Sequence, residues 1–253
     1  MAIIRFDAVQ RTFTQGGKDF VALKDIDFEV KDREFVAIVG PSGCGKTTCM
    51  RMAAGLEHPT GGHVYVDRDE VTKPGPDRAV VFQAFALFPW KTVWDNIEFG
   101  LVSLGIDAAE RKRRIEQHIE LMGLGGYEQA YPHQLSGGMQ QRVAIARAYV
   151  LDPKVLLMDE PFGALDAQTR VLMQEMLEGL IAESRNAVVF VTHDIDEALI
   201  VGDTLCVMSR RPGRVLETIR NPFARPRSAH IFEHRDYGPV KARIFEMIRR
   251  QID

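Results

Sequence analysis

The stretch Gly40-Pro41-Ser42-Gly43-Cys44-Gly45-Lys46-Thr47-Thr48 constrains this chain more than any other, because it follows the apolar, β-branched run Phe35-Val36-Ala37-Ile38-Val39 and leads into a helical pattern. It satisfies G-x-x-x-x-G-K-[ST] in the strand-loop-helix setting that gives the spacing its meaning. Gly40, Gly43 and Gly45 let the backbone take positive φ and approach a ligand closely, so consecutive N–H groups can turn inward as a concave anion nest. The helix starting near Gly45 aims its unpaired N–H groups and positive dipole end at the same point. Lys46 adds a mobile charge suited to β- and γ-phosphates, and Thr47 offers a hydroxyl for Mg²⁺.

A chain of 253 residues, 45% apolar and 26% charged, can bury a sizeable core around such a loop, as one large α/β domain or a core with an insertion. The net charge of −3 gives no electrostatic reason to expect nucleic acid. Basic residues cluster at 111–114 and 210–227, but the first run is interleaved with Glu110, Glu116 and Glu120 and reads as a solvated helix face. The opening Met1-Ala2-Ile3-Ile4-Arg5-Phe6-Asp7 carries charges where a secretory signal has an apolar block, and no apolar run reaches the roughly 20 residues of a membrane span. A soluble, cytosolic chain is expected, any membrane role coming through a partner. The three cysteines, Cys44, Cys49 and Cys206, lack metal-ligand spacing and fit a reducing compartment. Cys44, beside Lys46 and a helix start, has neighbours that favour a thiolate, against the plainer reading of an inert small residue.

Other segments bring chemistry towards the same place. Residues 2–9 and 20–30 alternate as antiparallel strands around Gln15-Gly16-Gly17, with Phe13 just before the turn, either as a platform for a nucleobase or as an ordinary surface or core Phe. The strand Ala79 to Phe82 ends at Gln83, at the C-terminal strand edge where open α/β sheets bind ligands. Residues 85–152 read as a helical insertion. Its aromatic stretch, Phe85, Phe88, Trp90 and Trp94, reads equally as a docking surface or as core. Leu135-Ser136-Gly137-Gly138-Met139 opens a helix with Ser136 as N-cap, a second phosphate-type helix start. The apolar strand Val155 to Met158 ends in Asp159 and Glu160, which alternation points to different places. Asp159 suits a hydrated Mg²⁺ and Glu160 suits polarising an attacking water. A further buried strand, Ala187 to Val191, ends at Thr192-His193, bringing His193 to the same edge as a γ-phosphate contact.

In this order the motifs resemble the ATP-binding subunit of an ABC transporter over roughly residues 2–220. Gly40 to Thr48 resembles Walker A, Gln83 the Q-loop, Leu135 to Met139 the signature loop with Met139 where the family usually has Gln, Val155 to Asp159 Walker B followed by the catalytic glutamate Glu160, Phe162 to Asp166 the D-loop, with Ala164, Leu165 and Asp166 at the dimer contact, and His193 the H-loop. The resemblance implies a P-loop NTPase (RecA-like) α/β core with an antiparallel β subdomain, made of residues 1–84 and 153–220, an inserted α-helical subdomain at 85–152, and a tail, 221–253, holding a short amphipathic helix. It implies ATP and Mg²⁺ as cofactors, the metal near Thr47, Gln83 and Asp159. It implies a dimer of ATPase subunits, alike or related, in which Ser136, Gly137, Gly138 and Met139 of one copy meet the nucleotide of the other. Integral membrane permease subunits and, indirectly, a solute-binding protein would complete an importer at the cytoplasmic face of the inner membrane. Val81 to Ile97 and Arg211-Pro212-Gly213-Arg214 are similar to subunits of nitrate, sulfonate, taurine and bicarbonate importers. The alternative is a soluble ABC-type ATPase acting on nucleic acid or the ribosome, for which tandem cassettes, long coiled-coil arms or basic patches would speak; none is evident.

Overall fold

A computed structural model describes residues 2–183 and 186–250. The alternating N-terminal segment forms the hairpin β1 (Ala2–Gln15) and β2 (Lys18–Lys31), whose strands run right up to the glycine turn rather than stopping short of it. Next come β3 (Phe35–Val39), α1 (Lys46–Ala54), β4 (Gly61–Val66), the short β5 (Asp69–Glu70) and β6 (Arg78–Val81). The helices α2 (Val93–Ser103), α3 (Ala108–Leu121) and α4 (Gly137–Tyr149) follow. The chain returns to the sheet through β7 (Val155–Asp159), α5 (Ala167–Glu183), β8 (Ala187–Thr192), α6 (Ile195–Val201), β9 (Thr204–Met208) and β10 (Val215–Arg220), and ends in α7 (Tyr237–Arg249).

Two sheets result. The smaller has the order β2-β1-β4-β5 and the larger β10-β9-β3-β8-β7-β6. In the larger sheet β6, β7, β8, β3 and β9 are parallel, and β3, β7, β8 and β9 are buried at every residue, as strands covered on both faces must be. Alternation sorts β3 between two cores. Phe35, Ala37 and Val39 pack with the helices α2 to α7, whereas Val36 and Ile38 pack with α1 and the smaller sheet. Parallel register then gathers the functional ends: Asp159 pairs with Val191, and Thr192 with Val39, so the residues after β3, β6, β7 and β8 leave the sheet at one edge.

Each helix of the insertion begins at a side-chain cap, Ser136 among them as expected. Thr92 accepts from Asp95 N–H, Asp107 from the N–H groups of Ala109 and Glu110, and Ser136 from Met139 N–H. The segment after β10 does not stand apart. Phe223, Ile231, Tyr237 and Ile244 are buried in the helical-side core, and Tyr237 and Lys241 both bond Asp196 in the first turn of α6.

Candidate functional site

The loop between β3 and α1 turns on Gly45, which has φ 105° and stands at the N-cap position with no side-chain hydrogen bond to the helix. Only glycine fits there, because a β-carbon would stand 2.4 Å from Leu23 Cδ2. The first N–H groups of α1 are thereby left without a side-chain cap and face a pocket. Lys46 is only 4% exposed, and its ammonium folds back to donate to the carbonyls of Gly40 at 2.8 Å and Pro41 at 3.1 Å. Thr47 Oγ1 donates to Asp159 Oδ1 at 2.9 Å. Burial pushes the Asp159 carboxyl above its ordinary value, outweighing the Thr47 bond and the cationic neighbours Arg51 and Lys46. Cys44 is buried, and desolvation raises its thiol against the pull of Lys46, so the thiolate-favouring expectation gives way to the inert one.

Beyond β7, Glu160 adopts φ 44°, a left-handed conformation unusual for a side chain of its kind, and its N–H is held by the Val191 carbonyl at 2.9 Å. Its carboxylate lies between side chains that leave two other strand ends. Gln83 Nε2 donates to Glu160 Oε2 at 3.4 Å, and His193 Nδ1 stands 3.1 Å from the same oxygen. Three residues from three strand ends thus converge on one point.

A cavity of about 260 Å³ lies over the phosphate loop and reaches this cluster through Glu160 alone: Phe13, Phe20 and Ala22 wall one side, Ser42, Gly43 and Gly45 to Thr48 form the floor, and Glu160 and Arg211 complete the rim, while Gln83, His193 and Asp159 do not line it. Phe13 is packed against Phe20 with ring centroids 5.6 Å apart and carries the Arg11 guanidinium 4.4 Å from its own centroid. Oxygen donors suit the pocket for Mg²⁺. Thr47 lines the pocket and bonds Asp159, which is not itself in the lining, whereas Gln83 bonds Glu160 rather than either of them. That pattern fits an ion that takes few protein ligands and completes its shell with phosphate and water.

The Ser136 to Met139 turn does not line this pocket. Ser136 and Gly137 are exposed, while Gly138 is buried against α5, where a β-carbon would come 2.4 Å from Thr169 Cγ2. Ala164 and Asp166 are also exposed, and Leu165 is buried. Asp166 accepts from Thr169 Oγ1 at 2.6 Å and from the N–H groups of Gln168 and Thr169, which holds its carboxyl below the usual range.

Sequence reasoning passed over Arg170. Its guanidinium donates to the Leu165 carbonyl at 3.2 Å and lies 3.6 Å from buried Glu197, which accepts from Thr192 Oγ1 at 2.6 Å. This chain of contacts ties the turn before α5 to the residue preceding His193; an Arg soon after the Asp166 turn was its only trace in the sequence. The aromatic stretch also resolves. Phe88 packs against Phe99, with centroids 4.7 Å apart, along a groove of about 400 Å³ shared with Phe82, Arg147 and Leu151. Trp90 is exposed, whereas Phe85 and Trp94 pack against the core and do not line that groove.

Comparison with known proteins bears on this geometry. A family model described as ABC transporter matches residues 23–163. The chain is 47% identical over 234 residues to an uncharacterized ABC transporter ATP-binding protein of Methanocaldococcus jannaschii, covering 92% of this chain and 88% of that protein. It is 40% identical over 252 residues to a nitrate import ATP-binding protein of Synechococcus elongatus, covering 98% and 92% respectively. A bicarbonate transport ATP-binding protein of the same species is 42% identical across 98% of this chain, which spans 38% of that longer protein. Among solved structures, the dimeric structure of a bacterial ABC transporter cassette superposes with a TM-score of 0.77 at 34% identity, covering 87% of this chain and 100% of that one. A dimeric post-hydrolysis cassette bound to ADP and Pi gives 0.76 at 33% identity, with the same coverage.

Proposed function

Because this chain belongs to the ABC transporter family as an ATP-hydrolysing subunit, we propose that it is the motor of an importer for a small anion of the nitrate, sulfonate or taurine kind. The observation that carries the mechanism is the meeting of Gln83 and His193 on Glu160, at the edge of a pocket floored by the phosphate loop. The nest and Lys46 hold the triphosphate, Phe13 carries the base, and Thr47 and Asp159, joined by Gln83 once it leaves Glu160, would hold Mg²⁺, which would neutralise phosphate charge. Glu160 takes the proton of the attacking water as its oxygen bonds to the γ-phosphorus and the bond to ADP breaks. His193 steadies the γ-phosphate and fixes the Glu160 carboxylate.

The exposed Ser136 and Gly137, with Ala164 and Asp166, serve a second copy or a related chain. Two subunits arranged head to tail close two ATP molecules between the phosphate loop of one and the α4 start of the other, with ATP holding the C2 dimer together. What supports this is that the α4 start is absent from the walls of its own chain's pocket, together with the dimeric form of the solved cassettes. The groove of Phe82, Phe88 and Phe99 receives a short cytoplasmic helix of a membrane permease subunit, placing the motor peripherally at the cytoplasmic face of the inner membrane. A solute-binding protein acts on the far side and touches the motor only through the permease. No helix among the described residues is long and apolar enough to cross a membrane.

The test is E160Q. It is expected to lower ATP turnover by at least about 100-fold while leaving ATP bound in a dimer stable enough for size-exclusion chromatography. Unchanged turnover would remove Glu160 from its role. Co-purification of the chain with integral membrane subunits tests the importer reading, and recovery of RNA or DNA in their place would overturn it.

A further inference from the structure

Arg211 lies on the rim of the phosphate-loop pocket, at the tip of the turn joining β9 to β10. It is exposed, and among the described residues its guanidinium meets no carboxylate. Its guanidinium carbon sits 5.0 Å from the centroid of the Phe20 ring, and Nη2 stands 3.9 Å from the place a β-carbon on Gly43 would take. An unneutralised cation is therefore parked on an aromatic face beside the backbone of the anion nest.

The turn that carries it is firmly built. Ser209 N–H bonds the Arg214 carbonyl at 2.9 Å, while Ser209 Oγ accepts from Arg214 N–H at 2.9 Å and shares its proton between the carbonyls of Arg210 at 2.8 Å and Pro212 at 3.1 Å. Gly213 fastens the turn to β2, donating to the Ala22 carbonyl at 2.8 Å and accepting from Lys24 N–H at 3.0 Å. At Gly213 the turn also presses on the phosphate loop itself, since a β-carbon there would stand 2.0 Å from the Cys44 carbonyl oxygen. The position of Arg211 is thus set relative to the nest through a short path of backbone contacts, with little loop freedom to lose on binding.

We propose that Arg211 is a nucleotide-binding residue, which closes on the phosphate chain of a nucleoside triphosphate from the mouth of the pocket while Lys46 holds it from the floor. This deepens the reading of the pocket as a nucleotide site and rests on it. Guanidinium suits the task chemically, as it presents paired donors to phosphate oxygens and stacks on an aromatic ring when no anion is present. Stacking on Phe20 holds the guanidinium beside the phosphate loop, so binding exchanges a weak cation–π contact for a charge-assisted hydrogen bond.

The test measures equilibrium binding of ATP and of ADP, with Mg²⁺, to the full chain in an E160Q background that prevents turnover. R211A is expected to raise the Kd for both nucleotides about tenfold at low salt, the size of one charge-assisted hydrogen bond. R211K should recover part of the loss, and added salt should narrow the gap between R211A and its parent. Should R211A fail to fold, R211Q carries the same expectation with the side-chain stem kept over Phe20. An R211A or R211Q Kd within about twofold of the parent, while K46A abolishes binding, would overturn the role of Arg211 and leave the nucleotide site standing. A parent that binds neither nucleotide, or a K46A chain that binds as the parent does, would overturn the nucleotide site itself.

Discussion

Two helices of this chain begin in glycine-bearing turns, α1 after the phosphate loop and α4 after Leu135, and they solve the problem of a helix N-terminus in opposite ways. At α1 the cap position is Gly45, left-handed and without any side-chain bond, and the turn is enclosed by Leu23, Phe13 and Phe20 with Lys46 buried beneath it. At α4 the cap is Ser136, whose hydroxyl accepts from Met139 N–H at 3.3 Å, and the turn stands exposed. The first start leaves its cap position without a side-chain bond and supplies walls, floor and a cation, which suits the anion site proposed within a single chain. The second closes one of its own donors, packs Gly138 on Thr169 and presents Ser136 and Gly137 at the surface. Where the site is enclosed, absence of a side chain gives approach. Where the site is open, a hydroxyl can accept from its own helix and still donate outward to a phosphate.

If the difference is real, substitutions at the two starts must separate binding by one chain from events that need two. Lys46→Ala should have the largest effect, raising the Kd of the monomeric chain for ATP by at least about 100-fold, because it removes the buried charge and its donors together. Isothermal titration on dilute protein reads this directly. Gly138→Ala acts at the other start. Its new methyl would meet Thr169 Cγ2 at 2.4 Å, so either the Thr169 side chain turns away and gives up its bond to Asp166, or the α4 turn moves relative to α5. A displacement on the order of 1 Å is enough to cost about 100-fold in turnover when the moved group contributes to the reacting geometry. Monomer affinity for ATP should remain within about twofold of the parent, measured by the same titration. A Gly138→Ala chain that lost monomer affinity would place α4 in its own chain's site and break the comparison.

The two starts also differ in how openly the sequence announced them. The phosphate loop is a local feature, a β-branched strand, three glycines and a Lys-Thr pair in a row, and its neighbours Gln83, Asp159 and His193 each end an apolar run, so strand direction alone carried them to one edge. What the sequence concealed arises from pairing across distance. Phe20 meets Phe13 only through the hairpin register, Arg211 reaches the pocket through Gly213 lying on Leu23, and Arg170 contacts Glu197 across two helices. The left-handed turn at Glu160 was hidden for another reason: residue type argues against it, and it persists because Val191 holds its N–H. Trp94 shows the limit of composition, since an aromatic-rich segment said nothing of which rings face inward.

The finest distinction between the starts lies in Ser136, whose hydroxyl serves its own helix and is proposed to serve a phosphate of another chain. Ser136→Ala removes both services. The nucleotide-free chain should lose about 1 kcal/mol, the ordinary cost of an N-cap, because Met139 N–H then has only water to bond. Ser136→Asp separates the two services. A carboxylate caps a helix as well as a hydroxyl does and favours the positive dipole end, so the nucleotide-free stability should stay within about 0.5 kcal/mol of the parent. The same negative charge, set opposite a triphosphate, has no proton to donate and repels it, so ATP-dependent dimerisation should fail in Ser136→Asp as fully as in Ser136→Ala. Urea unfolding of the nucleotide-free chain and light scattering with ATP read the two quantities separately. If Ser136→Asp dimerised with ATP as the parent does, Ser136 would be a helix cap and nothing more, and the contrast between an anion site complete in one chain and one shared between two would lose its chemical basis.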